Sequence, residues 1–243
     1  MKSRFVVAQM EQNGDPEINL ENARKAVAEA VEYYHADFIV FPECFMSLYP
    51  AGTPHETQLA SAQTLDGPFA TEMKKLAKDN HVWIAFGMNE KVDNPADPRN
   101  HNTTMIIDSE GEIKGVYRKT HLYDAFGYKE SDTICPGDKL FDPIDTPFGK
   151  IGLFVCYEVR FPEVARDQVL KGADIILMPT AWASGPLKSH QFKTLITARA
   201  IENTAYIVAA DQVGVNSMGE SIIVDPMGVA VASAGETPQL ICA

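Results

Sequence analysis

No apolar run in this sequence approaches the roughly 18 residues that a membrane-crossing helix needs, so a bilayer-spanning helix is not expected. Positive charge is scarce: 21 Lys and Arg stand against 33 Asp and Glu, a formal net charge of −12. Binding to a phosphate backbone or an anionic lipid surface draws on a net positive field, so neither nucleic acid nor membrane is an expected partner. Cysteine is sparse too. Cys44, Cys135, Cys156 and Cys242 show no CxxC or zinc-like spacing, and reduced thiols are expected rather than a disulfide frame. The segment MKSRFVVAQM passes from basic residues into a strand-like run without a cleavage site, so a cytoplasmic location is expected. In that compartment the Asn-x-Thr sequon at Asn102 carries no weight.

What is present is an ordinary globular composition, 45% hydrophobic and 22% charged, in 243 residues. Apolar runs of strand length alternate with amphipathic stretches of helix length, the pattern of an α/β layered domain. Arg4 to Met10 reads as a strand. Leu20, Ala23, Val27, Ala30, Val31 and Tyr34 then fall at helical spacing within Ile18 to His35. DFIVFPE, from Asp37 to Glu43, reads as a buried strand stopped by Pro42. Phe69 to Lys78 is a helix candidate, VWIAFGM a strand, and TTMIID with IKGVYRK flank the turn SEGE as a hairpin.

The second half repeats the plan. KIGLFVC is a strand, FPEVARDQVLKG a helix, DIILMP a strand, Ser189 to Asn203 a helix, AYIVAAD a strand, and SIIVDPMGVAVAS a hairpin. ADFIVFP echoes ADIILMP, and MIIDSEG echoes IIVDPMG, in the same order. Two duplicated halves, each a sheet covered by two helices, must bury their remaining apolar faces on each other. The expectation is a four-layer αββα sandwich over residues 1–243. The stretch from Thr120 to Phe148 has no counterpart in the other half and is rich in Gly, Asp, Pro and aromatics; such loops on a rigid scaffold collect function.

Three reactive side chains close strands or border that loop: Glu43, Lys119 and Cys156. A thiol at a strand-to-helix junction lies near the positive end of the following helix, a good place for a nucleophile. It needs a base, which a carboxylate supplies, and oxyanion stabilisation, which an ammonium with a backbone N–H supplies.

VFPECF, YRKTHLYD, YKESDTICPGD and VCYEVRFPE resemble the four signature blocks of the nitrilase superfamily of carbon-nitrogen hydrolases, and the likeness runs on through MPTAW, TARAIENTAYIVAADQVG and GESIIVDPMG. The family fold is the αββα sandwich. The resemblance implies a catalytic triad of Glu43, Lys119 and Cys156, with Glu130 as a second carboxylate that keeps Lys119 charged. It implies cysteine-dependent hydrolysis of a small amide through a thioester, with the Tyr157 backbone N–H beside the oxyanion and no metal or organic cofactor. Trp182 either lines the substrate pocket or packs in the core. Arg160 either contacts a substrate carboxylate or pairs with a neighbouring acid to fix the elbow. Glu158, two residues past the nucleophile, reads as structural; His121 and His190 read as satisfied polar residues, and Arg199, Glu202 and Asn203 as a buried polar network behind the site.

The CYE elbow favours an amidase over a nitrilase, with side-chain amides of dicarboxylic 2-oxo acids first and N-carbamoyl amino acids second. A catalytically silent binding member is the rival of another class, and intact Glu43, Lys119 and Cys156 argue against it. The chain stops at PQLICA, without the C-terminal tail that relatives pack across a subunit interface; a homodimer or higher homo-oligomer through the sandwich helices is still expected.

Overall fold

The first strand states the layering. In β1 (Phe5–Glu11) the side chains of Phe5 and Val7 enter one apolar core while Val6 and Ala8 enter another, the two-residue alternation of a strand buried on both faces. In this computed structural model, which describes residues 3–11, 13–50, 52–94 and 96–243, that alternation separates a sheet-to-sheet interior from a helix-covered exterior.

The chain continues through α1 (Pro16–Tyr34), β2 (Phe38–Val40), α2 (His55–Ala60), α3 (Pro68–Asn80), β3 (Trp83–Lys91), β4 (Asn100–Ile107) and β5 (Ile113–Arg118). A small hairpin follows, β6 (Asp124–Ala125) and β7 (Tyr128–Lys129), and then β8 (Ile144–Thr146) and β9 (Gly149–Leu153). After them come α4 (Pro162–Leu170), β10 (Ile175–Pro179), α5 (Lys188–Asn203), β11 (Tyr206–Ala210), β12 (Gln212–Val213), β13 (Ile222–Val224), β14 (Ala230–Ser233) and β15 (Gln239–Cys242).

The duplication read from the sequence is present in the sheets. One sheet runs β1-β2-β3-β4-β5 and the other β9-β10-β11-β13-β14; in each, the first three strands are parallel and the last two antiparallel. Even the irregularity repeats, with register shifts at Ile106/Ile107 and at Ile223/Val224. Helices α1 and α3 cover the outer face of the first sheet through Leu20, Ala23, Val27, Phe69 and Met73. Helices α4 and α5 cover the second through Val164, Phe192 and Ile196. Between the sheets, Phe5, Phe38, Trp83 and Phe148 form an aromatic cluster with centroids 5.2 to 6.2 Å apart. The fold is the four-layer αββα sandwich.

Two features couple the sheets. β11 of the second sheet passes through Asp211 directly into β12, which pairs with Met10 and Glu11 of the first. Val6 to Gln9 of β1 pair on that same edge with β15, so PQLICA contributes a strand to the sheet. The strand expected over Asp37–Glu43 is shorter, ending at Val40 before Pro42, and Glu43 stands on the turn beyond it. Likewise β9 ends at Leu153. Cys156 opens a short 3₁₀ helix, Cys156–Arg160, and α4 begins only at Pro162, so the helix end expected beside the thiol belongs to this short element.

Candidate active site

Glu43, Lys119, Glu130 and Cys156 line one cavity of about 410 Å³ at the ends of the strands. Each arrives from a different element: Glu43 after β2, Lys119 after β5, Glu130 after β7, Cys156 after β9. Close backbone approach makes this convergence feasible. A Cβ on Gly87 of β3 would collide with the backbone of Glu43 and Cys44, and one on Gly137 with the carbonyl of Arg118; glycine at both lets the chain press against the segments carrying the carboxylate and the lysine. Gly137 N–H donates to the Lys119 carbonyl at 2.9 Å.

Lys119 is only 2% exposed, a buried cation that needs partners. Its Nζ donates to Glu43 Oε1 at 2.9 Å and to Glu130 at 3.0 Å (Oε2) and 3.2 Å (Oε1). Burial works against its charge, but the carboxylates of Glu130 and Glu43 outweigh that and hold the ammonium well above the ordinary lysine range. Glu43 is fully engaged. Oε1 also accepts from Asn102 Nδ2 at 2.7 Å, and Oε2 accepts from the Ala181 N–H at 2.8 Å. Glu130 accepts from the Tyr123 N–H at 2.6 Å and from Asn102 at 3.2 Å.

Cys156 sits at φ +49°, a left-handed conformation strained for a side-chain-bearing residue, as is Cys44 next to Glu43. Burial, then the charge of Glu43, pushes its thiol above the ordinary range; Lys119, the Thr180 hydroxyl and the Ala181 N–H act in the opposite sense. The protonated thiol is thereby favoured, and a nucleophilic role for it requires a base to take the proton.

Tyr157, Arg160 and Trp182 all line the same cavity. Trp182 is both pocket wall and core: it is buried, packs on Phe192, and its N–H groups bond Asp211 and the Lys188 carbonyl. Arg160 donates through Nη2 to Gln191 Oε1 at 2.7 Å rather than to an acid. Its Nε is buried and has no hydrogen-bond partner among the described residues. The guanidinium lies 5.1 Å from the Trp182 ring and 5.8 Å from that of Phe126. Lys188 Nζ lies over the same two rings, at 5.8 and 4.9 Å. Among the described residues neither cation has a carboxylate within 4 Å.

Of the buried polar network expected behind the site, Arg199 and Asn203 are buried, Arg199 donating to the Val159 carbonyl at 2.9 Å and Asn203 bonding the Arg199 carbonyl, but Glu202, which pairs with Arg199, is exposed because it lies on the solvent side of α5. Sequence reasoning missed Asn102 and Lys188. β4 carries the signal for the first, since Asn100, Asn102, Thr103 and Thr104 are consecutive or alternate polar residues in a strand yet are all buried. GPLKS around Lys188 offers no comparable signal. Groups of His, Cys, Asp and Glu able to hold a metal ion are absent among the described residues.

The carbon-nitrogen hydrolase family model matches residues 6–243. The chain is 36% identical over 229 residues to the deaminated glutathione amidase of Escherichia coli O157:H7, covering 93% of this chain and 84% of that protein. It superposes on the NitFhit protein of C. elegans with a TM-score of 0.89 at 32% identity, over 100% of this chain and 61% of that one. An amidase from Nesterenkonia sp. AN1 is similar over 99% of this chain and 89% of its own, with a TM-score of 0.83 and 26% identity; it was solved as a mutant with the acetamide moiety of fluoroacetamide covalently added at the active-site cysteine.

Proposed function

The chain belongs to the carbon-nitrogen hydrolase family, within the nitrilase superfamily, as an amidase-like hydrolase, and from that premise we propose that Cys156 cleaves small amides through a thioester. The observation that carries this reading is the pair of carboxylates, Glu43 and Glu130, closing on Lys119 in the cavity that Cys156 lines.

Glu43 takes the proton of Cys156 as sulfur attacks the amide carbon. The carbonyl electron pair moves onto oxygen, and the oxyanion is held by the Lys119 ammonium and the Tyr157 N–H. Collapse of the tetrahedral species breaks the C–N bond, and Glu43 returns the proton to nitrogen, which departs as ammonia or amine. Water then gives a proton to Glu43 and its oxygen to the thioester carbon. The C–S bond breaks, the sulfur is reprotonated, and a carboxylic acid leaves. Glu130 keeps Lys119 charged and aimed. No metal or organic cofactor enters any of these steps.

The paired cations Arg160 and Lys188 over Trp182 and Phe126 support a substrate with a carboxylate at the end remote from the amide, such as a side-chain amide of a dicarboxylic 2-oxo acid. The deaminated glutathione amidase named among the relatives makes deaminated glutathione a second substrate to test. Ile201, Met227 and Val229 are exposed around Gly228, which packs on Ile201, and they support homodimerisation on the α5 side. A cytoplasmic location fits the reduced cysteines.

The test is rapid-quench intact-mass detection of an acyl adduct on the unaltered enzyme offered a panel of amides, alongside ammonia release. An adduct that disappears with Cys156→Ala supports the reading and its mass names the acyl group; ammonia release that survives Cys156→Ala overturns it. For the dimer, light scattering is decisive: a monomer at micromolar concentration rejects it.

A further inference from the structure

Glu158 is fully buried, two residues past the nucleophile, and has no part in the chemistry set out above. Its carboxylate collects donors from two separate stretches of chain. Oε2 accepts from the Val155 N–H at 2.8 Å, the residue immediately before Cys156. Oε1 accepts from the Tyr117 hydroxyl at 2.7 Å, the Thr120 hydroxyl at 2.8 Å, and the N–H groups of His121 and Thr120 at 3.1 and 3.2 Å; the His121 ring lies at 3.2 Å through Nδ1. Residues 117, 120 and 121 bracket Lys119. One oxygen is therefore tied to the chain on both sides of the lysine, and the other to the chain that delivers the sulfur.

We propose that Glu158 is a positioning residue, a carboxylate brace that sets the separation of the Cys156 sulfur and the Lys119 ammonium; this rests on the thioester reading above. The tip of Lys119 is held by Glu43 and Glu130, but those two carboxylates do not touch the Cys156 elbow through any hydrogen bond to its backbone. Glu158 does. An ionised carboxylate suits this role, being an acceptor at both oxygens. Burial alone would raise its proton affinity, yet the donors from His121, Tyr117, Val155 and Thr120 outweigh burial and keep it below the usual carboxylate range. An amide in the same place turns one acceptor into a donor facing other donors, which pushes the two stretches apart. The oxyanion must meet Lys119 and the Tyr157 N–H together, and a displacement of about 1 Å in such a geometry costs on the order of 100-fold in rate.

The experiment compares Glu158→Gln and Tyr117→Phe with the unaltered enzyme, on the best amide of the panel, with kcat expressed per Cys156 that reacts stoichiometrically with a thiol reagent. Counting reactive sites separates a displaced active centre from a smaller folded fraction. Glu158→Gln is expected to lower kcat about 30- to 100-fold with KM within about threefold, because the brace acts on the transition state rather than on substrate binding. Tyr117→Phe, which removes one donor and keeps the ring, is expected to lower kcat about 3- to 10-fold in the same manner. Should both variants keep kcat per reactive site within twofold of the unaltered enzyme while losing only thermal stability, the brace is overturned and Glu158 holds the fold alone. Should Glu158→Gln fail to fold, Tyr117→Phe decides by the same criterion. Absence of turnover in the unaltered enzyme with every amide would instead count against the thioester reading. In that event the brace is judged by the rate of Cys156 thiol modification, which it predicts to change in Tyr117→Phe.

Discussion

Asn102 donates a hydrogen bond of 2.7 Å to Oε1 of Glu43, the same oxygen that receives the ammonium of Lys119. The Asn102 amide, which also reaches Glu130 at 3.2 Å, thus shares the work of keeping two buried carboxylates apart and aligned. Asn102→Leu is expected to lower kcat about 10-fold, equivalent to about 1.5 kcal/mol, the smaller end of a bond to a charged group. Asn102→Asp adds a third carboxylate to the cluster and is expected to be worse still. Steady-state ammonia release measures both; equal rates for Asn102→Leu and the unaltered enzyme would remove Asn102 from the site.

The elevated proton affinity of Cys156 has a sign that can be tested. Burial and the negative charge of Glu43 both keep the thiol protonated, so reaction with a small neutral reagent such as methyl methanethiosulfonate is expected to accelerate through and beyond pH 9 without levelling. Removing the like charge in Glu43→Gln favours thiolate and is expected to speed this modification at fixed pH, while amide turnover collapses. Peptide mass mapping at Cys156 reads the first and ammonia release the second. A slower modification in Glu43→Gln would contradict the electrostatic assignment.

Selectivity is expected to reside in the two cations beside Trp182. Between a monoamide bearing a free carboxylate and the neutral amide of equal length, the ratio of kcat/KM is expected to favour the former, and to fall at least about 10-fold in Lys188→Met and more in Arg160→Met. Lys188→Arg is expected to retain most of it. An unchanged ratio in Lys188→Met and Arg160→Met would locate specificity elsewhere in the cavity.

Asp211 offers a stability test. Burial raises its proton affinity well above the usual carboxylate range, so the folded chain holds this proton to higher pH than the unfolded chain does. A group with a raised folded pKa contributes stability below its unfolded value and loses it as pH rises towards the folded value. Asp211→Asn keeps an acceptor for the Trp182 and Gln212 N–H groups. Thermal unfolding is expected to show the variant gaining on the unaltered protein as pH rises above about 4, by up to about 1.4 kcal/mol per unit. A gap that does not change with pH would mean that Asp211 is ionised in the fold.

Much of the architecture is legible in the sequence, and for identifiable reasons. Unbroken apolar runs such as FVVA and FIV are dictated by burial on both faces, and repeated order makes the two sheets inferable from short echoes. Glu43, Lys119 and Cys156 can be singled out by residue type at strand ends, and Glu130 by the family motif it resembles; all four line one cavity. Asn102 is marked only by the polar run in β4; its role arises from where register sets β4 against β3, opposite Asn89. The edge of β1 shared by β12 and β15 is not legible, since that pairing joins segments more than 200 residues apart with no local signature. Helix α2, which buries no residue, leaves no periodicity to read.

The passage of the chain from β11 through Asp211 into β12 limits how the enzyme can breathe. A hinge that widened the cleft would have to tear peptide pairing at Met10 and Glu11, and Gln212 is moreover clipped to the Glu43 carbonyl at 2.5 Å. The jaws are riveted at their base. Adjustment to a guest is thereby left to the exposed loops beside the cavity, the β6–β7 hairpin bearing Phe126 and the left-handed step at Leu187, so evolution of new appetites in this scaffold is channelled into those loops while the vice beneath keeps its gauge.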